Sequence, residues 1–141
     1  QKVKVRTFTV VGDGKQSRDF VFVTDVCNAF IKAAESEICG EIFNVGTGKP
    51  ETIMRLAELL GGPVVNIPKR PGEPDITHAD ITKITKMLDW LPDISFETGV
   101  KIMIDNINYW KDALVWIPGT IKEATKIWFE FLAKSQKGGN R

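Results

Sequence analysis

Metal chemistry has almost nothing to draw on in this sequence. One histidine, His78, and two cysteines, Cys27 and Cys39, are present, with no partner for any of them at ligand spacing, which excludes a zinc site. The two thiols follow no secretory leader, so they are read as reduced cysteines of a cytoplasmic protein, not as a disulfide. An excess of charge is also missing. The 19 basic and 18 acidic residues leave a formal charge of +1, and a field that weak recruits neither nucleic acid nor an anionic membrane surface. No apolar run approaches the roughly 20 residues that span a bilayer. Repeats, low-complexity linkers, a Gly-x-Gly-x-x-Gly fingerprint and a lysine-bearing phosphate loop are absent too. What remains is the balance of one soluble globular domain, 141 residues of which 43% are hydrophobic and 26% charged. The chain opens on Gln1 in a run that alternates charge with valine, which reads as the middle of something and predicts residues upstream.

Local pattern divides the chain in two. Phe8 to Val11 and Phe20 to Val23 are β-branched and aromatic runs separated by Gly12-Asp13-Gly14, which predicts two strands and a loop. From Asp25 the period becomes helical through Val26, Ala29, Phe30 and Ala33, with Thr24 or Asp25 available as a cap. Glu41 to Val45 predicts another strand, closed by Gly46-Thr47-Gly48, and Ile53, Leu56, Ala57 and Leu60 predict a helix that Gly61-Gly62 stops. Val64 to Ile67 is a fourth short strand run, after which Pro68, Pro71 and Pro74 enforce an extended loop. Asp80 and Ser95 are placed to cap helices, the first reaching Leu88 and the second carrying the stripe Val100, Met103, Ile104 and Ile107. Thr120 and Glu123 form a capping box for a last helix whose buried side is Ile121, Ala124, Trp128, Phe131 and Leu132. Strands alternate with helices early and helices dominate late, so the expected fold is a mixed α/β (α+β) domain with a small sheet, several packing helices and no complete doubly wound sheet.

Five segments carry the functional signal. They are Gly12 to Val26, containing Arg18-Asp19-Phe20; Gly40-Glu41-Ile42-Phe43-Asn44-Val45-Gly46-Thr47-Gly48; Arg70-Pro71-Gly72-Glu73-Pro74; Asp80-Ile81-Thr82-Lys83; and Leu88-Asp89-Trp90-Leu91-Pro92. In this order and at these separations the chain resembles the substrate-binding half of extended short-chain dehydrogenases/reductases, specifically nucleotide-sugar 4-epimerases and 4,6-dehydratases of the UDP-glucose 4-epimerase type, from residue 7 to about residue 110. The resemblance implies a nucleoside diphosphate sugar as ligand. Arg18 and Arg70 would then clamp the diphosphate, chemistry to which a guanidinium fork is suited. Glu73 would accept hydrogen bonds from the ribose diol. Phe20 would lie near the nucleotide, although its alternation with Val21 and Val23 fits core packing better. Asn44 either donates to a phosphate or bonds nearby backbone and shapes its turn. Without the resemblance, Arg18 and Arg70 would be read as members of ordinary surface ion pairs with Asp19 and Glu73.

The catalytic half of such a site is not in these residues. The resemblance implies hydride transfer to NAD with a tyrosine base and a lysine four places on, yet the one tyrosine, Tyr109, is followed four positions later by Ala113. No residue here is therefore expected to be catalytic or to bind NAD, which belongs to the parent enzyme's other half. Asp89 stands where relatives often have glycine and must accept a helix-ending conformation. Residues 1–112 are read as the nucleotide-sugar-binding portion and 113–141 as a helical extension. With the helix from Asp25 and the strand from Glu41 leaning in relatives on an absent sheet, a homodimer is expected. The alternative to nucleotide-sugar binding is an assembly module that pairs through its aromatic last helix.

Overall fold

The structure is a computed structural model, and it describes residues 2, 7–69 and 71–137, with side chains as far as residue 130. Strand β1, Phe8–Val11, pairs in parallel with β4, Val64–Ile67, in the register Phe8↔Val64 to Val11↔Ile67. A parallel pair needs a long crossover. It is supplied by β2 (Ser17–Arg18), α1 (Val23–Glu35), β3 (Glu51–Thr52) and α2 (Ile53–Leu60). β2 and β3 form a second, antiparallel ladder, with Ser17 opposite Thr52 and Arg18 opposite Glu51. After β4 come α3 (Thr82–Leu88), α4 (Phe96–Asp105), a 3-10 turn at Ile107–Trp110 and α5 (Pro118–Lys137). The mixed α/β architecture with a small sheet is thus what the chain adopts.

Period-two alternation sends Phe8 and Val10 to the buried side of β1, beside the buried Ala57 of α2. Helix α2 begins where the Thr52 hydroxyl accepts from the Arg55 N–H, and it ends at Gly61. A second cluster gathers Ala29 of α1, Ile84 and Leu88 of α3, and Trp90, which is 1% exposed. Trp90 donates its indole N–H to the Asp25 carbonyl at 3.1 Å, while the buried Asp25 carboxylate accepts from the Ile94 N–H at 3.1 Å. These two bonds tie the start of α1 to the segment between α3 and α4.

Several readings from sequence are corrected. Phe20 to Val23 is not a strand, because Phe22 takes the N-cap position of α1 and Val23 is already helical. Asp25 does not cap that helix, its carboxylate having gone to Ile94. Glu41 to Val45 pairs with no strand among the described residues. Helix α5 starts at Pro118, two residues ahead of the Thr120 box, since proline's fixed φ suits the first helical turn. On α5 the half-buried stripe is Ile121, Thr125 and Phe129, at i, i+4 and i+8, whereas Trp128 is 41% exposed. The side chains of Phe131 and Leu132 lie outside the described residues. Ser95 caps α4 as expected, its hydroxyl accepting from the Thr98 N–H, whereas Ile81 holds the N-cap position of α3 without a side-chain cap and Asp80, one residue earlier, accepts from the Thr82 N–H.

Candidate functional site

Ser17 and Arg18 stand between two neighbours: β3 on one side and the segment 75–77 on the other. The second contact consists of Ser17 N–H to the Asp75 carbonyl at 2.9 Å and Thr77 N–H to the Ser17 carbonyl at 3.2 Å. This narrow strand carries the proline-rich loop to Arg18. Glu73 Oε1 accepts from Arg18 Nη2 at 3.1 Å, across 55 residues of chain, and each side chain is 23% exposed. Arg18 Nη1 is held by its neighbour's carbonyl, Ser17, at 2.8 Å. The other carboxylate oxygen, Glu73 Oε2, is buried and has no hydrogen-bond partner among the described residues. An acceptor shielded from water and left unmade costs about 1–3 kcal/mol, so it invites a further donor. Lys69 forms an ion pair with Asp75 on the same loop, which raises the Lys69 pKa through that hydrogen bond. Arg70 lies outside the described residues.

Asp19, next to Arg18, is the organising residue that sequence reading missed. Its carboxylate accepts from the Thr47 N–H and hydroxyl at 2.6 Å each, from Gly48 N–H at 3.0 Å and from Ala79 N–H at 3.1 Å. Burial pushes this carboxyl's pKa up, but the donors from Thr47, Ala79 and Gly48 together outweigh it and hold the group below its ordinary 3.8. The contact leaves no room at Gly46, where an added Cβ would stand 2.5 Å from Ala79 Cβ and 2.9 Å from Asp19 Oδ2. The consequence for the glycine turn is chemical: the amides of Thr47 and Gly48 are spent on a resident carboxylate, so the turn does not cradle a phosphate. Only the adjacency of Asp19 to Arg18 could have drawn notice, because its partners lie 28 to 60 residues away.

Asn44 borders a cavity of about 440 Å³ walled by Asp19, Phe43, Val45 and residues 77–79. Its amide donates to the Asp80 carbonyl at 3.3 Å, and the neighbouring His78 Nε2 donates to the Gly48 carbonyl at 2.9 Å. Phe20 is turned the other way. Its ring stacks on Phe96 of α4 at 5.0 Å between centroids, in an apolar groove of about 350 Å³ between α2 and α4. The fold therefore brings Arg18 and Glu73 together and sets Asn44 behind them, joined through Asp19, with Phe20 packed on α4. Among the described residues no three carboxylate, histidine or cysteine side chains gather around a cation position, and no helix is long and apolar enough to cross a membrane.

Residues 1–103 match the family described as GDP-mannose 4,6 dehydratase. The chain belongs to that family. It is thereby an extended short-chain dehydrogenase/reductase, as its motifs implied. Family members of known activity include UDP-glucuronic acid decarboxylase 2 of Arabidopsis thaliana, 36% identical over 110 residues that make up 74% of this chain and 24% of that protein. UDP-glucose 4-epimerase of Mycolicibacterium smegmatis is 33% identical over 102 residues, 67% of this chain and 32% of that one. Among solved structures, UDP-glucose 4-epimerase of Thermotoga maritima, determined with UDP-glucose, superposes with a TM-score of 0.70 at 32% identity, covering 77% of this chain and 37% of that one. UDP-glucuronic acid 4-epimerase of Bacillus cereus, in complex with UDP-glucuronic acid and NAD, gives a TM-score of 0.70 at 28% identity over 76% and 37% of the two chains. The chain thus spans about a quarter to a third of these curated relatives. The loop after β1 enters a two-residue strand, not a helix start, and the amides of the Thr47 turn are occupied by the Asp19 carboxylate.

Proposed function

We propose that this chain is the nucleotide-sugar-binding portion of an NAD-dependent NDP-sugar epimerase or dehydratase and supplies no catalytic base itself. The observation that carries the reading is the Arg18–Glu73 couple, drawn from segments 55 residues apart, with one carboxylate oxygen shielded and unpaired among the described residues. The guanidinium offers donors to phosphate oxygens. Glu73 Oε2 offers an acceptor to a ribose hydroxyl a short distance along the same ligand. Arg70, three residues before Glu73 on the proline loop, completes the diphosphate clamp in this reading. Asn44 and Phe20 are secondary, the first donating to phosphate with its remaining amide hydrogen and the second shaping the groove beside the nucleotide. NAD, when bound, accepts the hydride in the intact enzyme, held by residues other than these.

Calorimetric titration of the chain with UDP and UDP-glucose tests the proposal. Binding is expected, and Arg18→Ala is expected to weaken it by about tenfold to a hundredfold, the worth of one or two charge-assisted hydrogen bonds. If UDP, GDP, dTDP and CDP all fail to bind, and alanine at Arg18 and at Arg70 is silent in the protein that carries the cofactor-binding portion, the assignment is wrong. The same reading has the chain self-associate as a homodimer through its exposed apolar surface.

A further inference from the structure

Helix α5 lies beyond the residues that match the family, and it does not close completely on the sheet. Between its inner stripe, Ile121, Thr125 and Phe129, and the end of β4 at Ile67 and Pro68 there is a cavity of about 630 Å³. A second cavity of about 330 Å³ shares Ile67, Ile121 and Thr125 and runs on toward Val11 and Trp116. The two form an elongated apolar space between helix and ladder. Its mouth is cationic. Lys122 and Lys126 border the larger cavity one helical turn apart, and neither has an ion-pair or hydrogen-bond partner among the described residues, whereas Glu123 is the one acidic residue of the cavity lining, with Glu130 a turn beyond Lys126 outside it.

We propose that this space binds an amphipathic anion: an unbranched acyl body lying along Ile67, Ile121 and Phe129, with a single anionic head at Lys122 and Lys126. A cleft of this size with a mainly apolar lining favours an apolar ligand body over water, which finds few polar partners along Ile67, Ile121 and Phe129. At roughly 30 Å³ per heavy atom, the share of a water in the liquid, a ten-carbon chain fills about half of the larger cavity. Two ammonium groups against one carboxylate set the preference for a negative head. The site is separate from the Arg18–Glu73 couple, and its existence does not depend on nucleotide binding.

Calorimetric titration of the full chain with sodium decanoate, below its micelle concentration, tests it against decyltrimethylammonium, which has the same tail and the opposite head. One saturable decanoate site is expected, with the cation binding at least about tenfold more weakly. The double variant Lys122→Gln/Lys126→Gln, on an exposed helix face, is expected to lower decanoate affinity by about tenfold. Ile121→Trp, which fills the shared wall of both cavities, is expected to abolish the heat with helicity retained by circular dichroism. Absence of saturable decanoate binding, equal affinity for the two heads, or decanoate binding unchanged in the lysine variant overturns the proposal.

Discussion

Asp19 is where one side chain governs the most structure. Four donors from two distant loops converge on its carboxylate, and amide oxygen cannot replace it, since an asparagine would turn an NH2 toward N–H groups. Asp19→Asn is expected to destabilise the chain by about 2–3 kcal/mol, a figure kept below the sum of four charged hydrogen bonds because the site is partly solvated. The sign of the pH effect follows from its folded pKa, which lies below the ordinary 3.8. Stability from this group is complete above that value and is lost as pH falls through the lowered one. Acid unfolding followed by circular dichroism should therefore show the wild type losing stability below about pH 4 and the variant, already weakened, losing less over the same interval. Asp89 offers a gain instead. It ends α3 at φ 49 and ψ 41, a left-handed conformation that costs an L-residue about 1–2 kcal/mol. Lys32 donates to its carbonyl and to that of Leu88, backbone contacts that a glycine preserves. Asp89→Gly is expected to raise stability by about 1 kcal/mol and the melting temperature by about 3–5 °C.

At the scale of elements, legibility follows the range of the signal. β1, α2, β4 and α4 could be read because their evidence is local: alternating Phe8 and Val10, a stripe ended by Gly61, a β-branched run before Pro68, and a Ser95 cap. The run Phe20 to Val23 misled for the same reason, its composition favouring a strand while Asp25 and Trp90 pinned a helix to its last residue across 65 positions. Glu41 to Val45 has a strand's composition and no ladder, since pairing is a property of the neighbour and not of the segment. In the site, Arg18 and Glu73 were legible as chemistry but not as a couple. The Asp19 network was not legible at all, because its donors are backbone amides whose identity the side chains do not announce.

For the whole molecule, the distribution of apolar surface decides how the chain behaves alone. Helix α1 buries Asp25 and Ala29 on one side and presents Val23, Cys27, Phe30 and Ile31 on the opposite one, at the i, i+4, i+7 and i+8 spacing of a packed face. Phe30 is 73% exposed, although its spacing with Val26, Ala29 and Ala33 had suggested an inward residue, and Ile42 on the unpaired segment is 85% exposed. A helix stripe and an unpaired β-type run are both forms of surface that ordinarily find a partner. The match covers 37% of the superposed epimerases, and for the isolated chain a second copy can cover such a face. Light scattering across a concentration series should show dimerisation of the isolated chain. Phe30→Glu with Ile42→Glu should shift the equilibrium toward monomer by about tenfold or more, because burying two like charges without a partner costs more than the contact returns. Neither substitution touches the Arg18–Glu73 couple, so UDP affinity should stay as it was. A monodisperse monomer at high concentration in the wild type would remove the dimer from the proposal and leave the nucleotide site standing.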